Sequence, residues 1–151
     1  MQRPRADPRT RPLVRLLADS VAHGAVLGLA LEIDGDLDLA VAGWNSGSNN
    51  RVFRNNGDGT FMEITESAFG GDFNIRSATT IACADVDNDA DLDLFLGNAY
   101  NEGNVLFIND GGGGFTDGTS SAGGGLGNGV KSRGAKFADV DNDGDLDIYL
   151  C

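Results

Sequence analysis

Aspartates at alternating positions are the residues of this sequence best suited to chemistry. Residues 85–93 have the sequence DVDNDADLD and residues 139–147 the sequence DVDNDGDLD, with an acid at positions 1, 3, 5, 7 and 9. In a tight turn the side chains at positions 1, 3 and 5 converge, position 7 offers its backbone carbonyl and position 9 closes the shell. The candidate metal ligands are Asp85, Asp87, Asp89, Asp91 and Asp93 in the middle segment, and Asp139, Asp141, Asp143, Asp145 and Asp147 in the last.

The charge density of these two segments predicts a bound divalent cation. Two carboxylates about 5 Å apart repel by roughly 3 kcal/mol at an effective dielectric constant of about 20, and a bound cation relieves that repulsion directly. Oxygen ligands without His or Cys favour Ca²⁺ over Zn²⁺ or copper. Gly144 at position 6 allows the positive φ angle of the turn. Ala90 at the same position predicts about 1 kcal/mol of strain and a weaker middle site.

A third copy of the acidic segment is less complete. Residues 30–38 have the sequence ALEIDGDLD, with Ala30 at position 1 and Glu32 at position 3. We expect this copy to be a degraded or empty site. Its candidate ligands are Glu32, Asp34, Asp36 and Asp38.

Two other interpretations of the acidic segments compete with calcium binding. An EF-hand requires a bidentate glutamate at position 12, where this chain has Leu96 and Leu150, and it requires flanking helices where strands are predicted. A solvated acidic turn without metal is the second alternative, and it is the stronger one for the first copy.

The acidic segments recur at a fixed period. The middle and last copies are 54 residues apart, and the first precedes the middle one by 55. A second pair of related segments, FRNNGDGTF at 53–61 and FINDGGGGF at 107–115, is also offset by 54 residues. Two landmarks with the same period predict tandem structural units.

Each unit is predicted to contain four short strands separated by Asp and Gly turns. In the middle unit these strands cover residues 79–84, 92–98, 104–108 and 115–120. The second of them is apolar on both faces, which is typical of a strand buried on both sides. Tandem four-stranded units of this length predict an all-β fold of β-propeller blades. No helical periodicity follows about residue 27, and residues 13–22 are the helix candidate before it.

The repeats divide the chain into a leader and blades. Residues 1–24 are predicted to be a basic leader, disordered or partly helical. Residues 25–151 are predicted to contain blade 1 at about 25–78, blade 2 at 79–132 and a partial blade 3 at 133–151. Because a closed propeller needs at least about four blades, we expect a fragment of a longer protein, with self-association through blade edges as the alternative.

Composition excludes several classes of function. With 23 Asp+Glu against 11 Lys+Arg, the net charge of -12 opposes binding to nucleic-acid phosphates or to an anionic membrane surface. The chain has no apolar run of about 18 residues, so no transmembrane helix is predicted. Cys83 and Cys151 do not make a disulfide framework. His23 has no Ser or Cys partner pattern, and no catalytic residue is assigned.

The acidic segments, the Leu-Asp-Leu or Leu-Asp-Ile strands after them and the turn at residues 55–61 together resemble FG-GAP/VCBS repeats. These are the calcium-binding blades of integrin α-subunit propellers and many secreted bacterial proteins. Residues 54–61, followed by Glu63 and Thr65, are especially similar to the cartilage acidic protein-like (ASPIC/UnbV-associated) branch. The resemblance covers about residues 25–151 and implies a β-propeller, often seven-bladed, with calcium in the loop joining the first two strands of each blade. It also implies an extracellular or cell-surface location, although no signal peptide is identified.

The leading functional hypothesis is a non-enzymatic, calcium-stabilised module for adhesion or recognition. Its partners would be a protein or glycan ligand on the loop-rich faces and the remaining propeller blades in cis. One alternative is a propeller-based polysaccharide lyase or hydrolase, with Glu63, Glu66 and Glu102 as isolated candidates. Another is a structural spacer within a larger surface protein. Trp44 and Tyr100, placed after the second strand of two units, either pack between blades or stack on a ligand.

Overall fold

A computed structural model of the chain describes residues 10–12, 25–32, 36–43, 50–70, 78–98, 103–123, 125–127, 129 and 131–151. The fold of these residues is all-β, with one short helix. The strands are β1 (Thr10–Pro12), β2 (Ala25–Glu32), β3 (Leu37–Gly43), β4 (Arg51–Asn55), β5 (Thr60–Glu63), β6 (Ala78–Ala84), β7 (Asp93–Asn98), β8 (Val105–Asn109), β9 (Phe115–Asp117), β10 (Ala135–Ala138) and β11 (Asp147–Leu150), and the helix is α1 (Thr65–Phe69).

The described strands form three antiparallel sheets. Their strand orders are β1-β5-β4-β3-β2, then β6-β7-β8-β9, then β10-β11. Consecutive strands therefore pair in chain order within each unit, as expected of propeller blades, and no sheet closes into a barrel. This arrangement confirms the predicted fold class of tandem blades in an incomplete propeller.

The first strands of the three units are neighbours. Strand β6 contacts β2 and β3 on one side and β10 on the other. Strand β7 is buried along its whole length, which confirms the prediction of a strand covered on both faces. One core joins the first two blades, because Ala40 and Val52 of blade 1 pack with Leu94, Leu96 and Phe107 of blade 2.

Two features differ from the sequence-based expectations. The leader contributes β1 to the outer edge of blade 1, where Thr10 pairs with Met62, so Thr10–Pro12 form a strand within the segment expected to be disordered or partly helical. The physical reason is that the outer edge of β5 offers unpaired backbone groups, and an edge strand tolerates a proline such as Pro12. The helix candidate at 13–22 lies outside the described residues, as do His23, Trp44, Tyr100 and Glu102.

The second difference is helix α1, which follows β5 although no helix was predicted after residue 27. Five residues are too few to show a helical period, and Gly70 ends the helix with a positive φ of 57°. Phe69 at its end stacks on Phe115 with ring centroids 4.7 Å apart, and it meets Phe107 edge-on at 5.0 Å. The helix therefore places an aromatic ring between blades 1 and 2.

Candidate metal centres

Two of the acidic segments form equivalent connections within their blades. Residues 85–92, the middle loop, join β6 to β7, and residues 139–146, the last loop, join β10 to β11. The strand pairs that close these loops are Ala84 with Asp93 and Ala138 with Asp147. Both loops thus connect the first two strands of a blade, and position 9 of each segment is the first residue of the second strand.

The middle loop brings three predicted ligands together. One carboxylate oxygen from each of Asp85, Asp87 and Asp89 lies within 4.8 Å of the others. Since Ca²⁺ binds oxygen at about 2.3–2.6 Å, ligands on opposite sides of the ion are separated by about 4.6–5.2 Å. The three oxygens are therefore spaced as ligands of a single cation.

Backbone N–H groups hold the middle loop in this shape. Asp85 accepts hydrogen bonds from the backbone of Asp89 at 3.1 Å and of Ala90 at 3.0 Å. Asp89 in turn accepts from the backbone of Asp91 at 2.9 Å. Asn88 and Ala90 both have positive φ angles, 62° and 76°. Ala90 therefore adopts the left-handed conformation for which the sequence predicted strain.

The last loop forms a related group with a different third member. Asp139, Asp141 and Asp147 each place a carboxylate oxygen within 4.8 Å of the other two. Asp139 accepts hydrogen bonds from the backbone of Asn142 at 2.7 Å and of Gly144 at 3.2 Å. Gly144 has a φ of 98°, as predicted from its position. This loop therefore uses the acids at positions 1, 3 and 9, whereas the middle loop uses positions 1, 3 and 5.

The acid at position 9 has a second role in the two fuller blades. Asp93 is 1% exposed and accepts backbone hydrogen bonds from Val86 and Asn109, both at 2.8 Å. Asp38 is 2% exposed and accepts one from the backbone of Asn55 at 2.7 Å. These carboxylates bind the start of the second strand to the end of the third. Sequence reasoning missed this role, and its available signal was an asparagine 16 or 17 residues after the aspartate.

The remaining predicted ligands of these two loops lie outside both groups. Asp143 accepts a hydrogen bond from the backbone of Asp145 at 3.0 Å. The carboxylate of Asp145 accepts one from the side chain of Asn88 at 3.1 Å. Asp91 donates its backbone N–H to Asp89. Asp91 and Asp145 are at position 7, where the expected ligand is the backbone carbonyl. The contacts of their side chains therefore do not test that expectation.

The first acidic segment has a different backbone course. Strand β2 continues through Glu32, which pairs with Leu37, and only residues 33–36 separate the paired positions. A register shift between Leu27 and Ala30 accompanies this tighter connection. Glu32 thus lies in a strand, Asp36 is exposed, and Asp34 lies outside the described residues. The backbone pairing of this segment therefore differs from that of the two later loops.

The electrostatics of the middle loop favour a cation. Partial desolvation, followed by the negative charges of Asp89 and Asp85, raises the pKa of Asp87. Burial also raises the pKa of Asp93, against the opposing effect of its hydrogen bonds from Val86 and Asn109. Because both shifts reflect a disfavoured negative charge, a divalent cation beside these carboxylates would stabilise their ionised forms.

The candidate residues for the enzymatic alternative are dispersed. Glu63 lies 3.5 Å from Arg51 in a surface ion pair, and Glu66 is in the first turn of α1. Glu102 lies outside the described residues. Neither described glutamate belongs to a group of acids, as a general acid–base pair would require.

Comparison with known proteins agrees with the geometry. A model of the FG-GAP-like repeat matches residues 34–96 and 85–150. Each match begins in one acidic segment and ends in the strand that follows the next acidic segment. A search of curated proteins found no match. FG-GAP repeats are generally non-enzymatic and typically occur in extracellular proteins. No helix among the described residues is long and apolar enough to span a membrane.

The match identifies the repeat and does not distinguish its branches, so the closer similarity to the cartilage acidic protein-like branch stays a prediction. The two matches together cover more than half of the chain. This protein belongs to the FG-GAP-like repeat family.

Proposed function

We propose that this chain is a calcium-binding, non-enzymatic recognition module in which Ca²⁺ stabilises the connections between the first two strands of blades 2 and 3. The observation that carries the proposal is the recurrence of a carboxylate group at equivalent places in the repeat. Two equivalent segments each place three carboxylate oxygens within 4.8 Å of one another, from positions 1 and 3 in both, with position 5 in the middle segment and position 9 in the last. A single solvated acidic turn has no reason to recur in this form.

The donor set favours calcium among the common cations. All six grouped ligands are carboxylates, which suit hard cations and not Zn²⁺ or copper. Mg²⁺ requires oxygens at about 2.0–2.1 Å in a near-ideal octahedron and retains its water, whereas Ca²⁺ accepts irregular shells of six to eight oxygens. Loop carbonyls and water would complete such a shell, since five of the six grouped residues are exposed.

The role of the cation in this module is structural. The carboxylates of Asp85 and Asp139 also accept hydrogen bonds from their own loops, so a bound ion would fix loop and strands together. Affinities of about 10⁻⁴–10⁻³ M, which are typical of extracellular modules, suffice at extracellular calcium concentrations. We therefore place the module outside the cell or at its surface, where the loops would present a surface to a protein or glycan ligand.

Calcium titration of the full chain tests the proposal. Calorimetry with millimolar CaCl₂ should show two binding events, one each for the middle and last loops. Asp87→Asn and Asp141→Asn should each remove one event. Glu66→Gln removes the same charge outside the loops and should leave both. A titration of MgCl₂ should give weaker binding.

The proposal would be refuted by a wild-type chain that gives no heat with CaCl₂ and melts at the same temperature with and without a chelator. A third binding event would instead assign metal to the first acidic segment. Ligand capture from a glycan and protein array, performed with and without calcium, separates a recognition module from a structural spacer.

A further inference from the structure

A side-chain hydrogen bond connects the middle loop to the last loop. The amide of Asn88 donates to the carboxylate of Asp145 at 3.1 Å, across 57 residues of sequence. Asn88 lies between the grouped ligands Asp87 and Asp89, and Asp145 lies two residues before the grouped ligand Asp147. The bond therefore joins the centre of the middle loop to the last loop.

The backbone around each partner has the conformation that groups the carboxylates. Asn88 has a φ of 62°, and the next backbone N–H, that of Asp89, donates to Asp85. Asp145 follows Gly144, whose N–H donates to the grouped ligand Asp139 at 3.2 Å. Because each partner adjoins a backbone N–H that holds a grouped ligand, the inter-loop bond is formed with both loops in their grouped conformations. Each loop thus favours the grouped conformation of the other.

We infer that Asn88 couples the two proposed calcium sites, so that calcium in the middle loop raises the affinity of the last loop. This inference rests on the proposed function. Coupling between binding sites is reciprocal, so calcium in the last loop raises the affinity of the middle loop by the same factor. Both side chains are exposed, which places the factor at the low end of the usual range, about fivefold.

Direct repulsion between the two cations acts in the opposite direction. Asn88 is uncharged, so its removal leaves that repulsion nearly unchanged while it removes the hydrogen bond. A difference between the wild type and an Asn88 variant therefore isolates the contribution of the bond.

The chain provides a matched control at the same loop position. Asn142 is position 4 of the last loop and also has a positive φ, 68°, but it makes no hydrogen bond to another loop within the described part of the chain. The first acidic segment has Ile33 at this position, and the side chain of Ile33 has no hydrogen-bond donor. The coupling is accordingly specific to the middle and last loops.

The experiment measures the calcium affinity of the last loop with the middle loop intact or disabled by Asp87→Asn and Asp89→Asn. Calorimetry gives the affinity, and the amide NMR signal of Gly144 reports which loop is filled. We expect the ratio of the two affinities to be about fivefold higher in the wild type than in Asn88→Gly. Asn88→Gly keeps a residue that tolerates positive φ, and Asn142→Gly should leave the ratio at its wild-type value.

Variants at the other end of the bond make the test independent of Asn88. Asp145→Ala removes the acceptor and should lower the ratio as Asn88→Gly does, whereas Asp145→Asn keeps an acceptor oxygen and should preserve it. Equal ratios in the wild type, Asn88→Gly and Asp145→Ala would overturn the coupling while leaving calcium binding in place. A wild-type chain that binds no calcium would refute the proposed function itself, and the coupling with it.

Discussion

Asp93 and Asp87 belong to one acidic segment, but the structure gives them opposite environments. Asp93 is 1% exposed, and its carboxylate accepts hydrogen bonds from the backbone N–H groups of Val86 and Asn109. Asp87 is exposed and faces the carboxylates of Asp85 and Asp89. The buried carboxylate connects strands of the blade, whereas Asp87 belongs to the group that we propose to hold a cation. Identical residues at an alternating spacing therefore serve two different requirements.

Blade 1 repeats the strand-linking role of the buried carboxylate. Asp38 keeps the buried position and the hydrogen bond from Asn55, although the connection before it is shortened to residues 33–36. In the last segment Asp147 accepts a hydrogen bond from the backbone of Val140 at 3.1 Å, as Asp93 does from Val86, and it is also a member of the proposed cation group.

The largest expected effect is the loss of the buried carboxylate. Asp93→Ala would leave the buried N–H of Asn109 and the part-buried N–H of Val86 without their acceptor. A buried unsatisfied group costs about 1–3 kcal/mol and a part-buried one less, so we expect the free energy of unfolding to fall by about 1–4 kcal/mol in urea with a chelator present. Asp87→Ala is the matched control and should change it little. Similar unfolding midpoints for the two variants would show that burial does not distinguish these residues.

Calcium should separate the variants of the cation loops from those of the buried carboxylates. With a dissociation constant of about 10⁻⁴ M, about 1 mM free Ca²⁺ stabilises the folded state by about 1.4 kcal/mol per site. Asp87→Ala should lose the contribution of one site. Asp38→Ala should retain both contributions although it is less stable throughout, because both cation loops remain intact. The measurement is urea unfolding with and without calcium, and an unchanged calcium effect in Asp87→Ala would contradict the assignment.

The sequence predicts those parts of the fold that depend on local patterns. The 54-residue period, the strands of blade 2 and the positive φ at Gly144 follow from turn residues and alternation. The function of Asp93 could not be predicted in this way, because it depends on Asn109 of a later strand. The shortened first connection depends on a register shift between Leu27 and Ala30, and a gapless alignment of the repeats conceals such a shift. The helix ending at Phe69 is set by packing against Phe107 and Phe115.

A smaller effect is expected from pH, with opposite signs in the two calcium states. The pKa values of Asp87 and Asp93 are raised above the ordinary 3.8, so the folded chain takes up protons before the unfolded chain does. Without calcium, their contribution to the free energy of unfolding therefore increases as pH falls from 7 towards the folded pKa values. With calcium, protons compete with the ion, and stability decreases over the same range.

Two other shifted groups lie outside that pH window. Hydrogen bonds lower the pKa of Asp58 and of Asp110, so the stability they contribute is lost only below about pH 3.8.

Asp87→Asn should reduce the pH dependence of the free energy of unfolding both with and without calcium, and Glu66→Gln serves as the control. Urea unfolding at several pH values, with calcium and with a chelator, provides the measurement. Slopes of the same sign in both conditions would contradict the electrostatic account of the middle loop.

The smallest expected effect concerns the thiol of Cys83, whose pKa is affected by the nearby carboxylate of Asp93. Burial, and secondarily the charge of Asp93, raises the pKa of Cys83 to about 12. At pH 8 iodoacetamide should therefore label exposed Cys151 rapidly and leave Cys83 largely unmodified in the folded protein, since the thiolate is the reactive form. In a Cys151→Ser background, Asp93→Asn should raise the labelling rate of Cys83 by less than about tenfold, because burial is the larger cause and remains. Urea provides the control by exposing Cys83 fully. A rate in Asp93→Asn equal to that of the unfolded chain would show that the charge of Asp93, and not burial, protects the thiol.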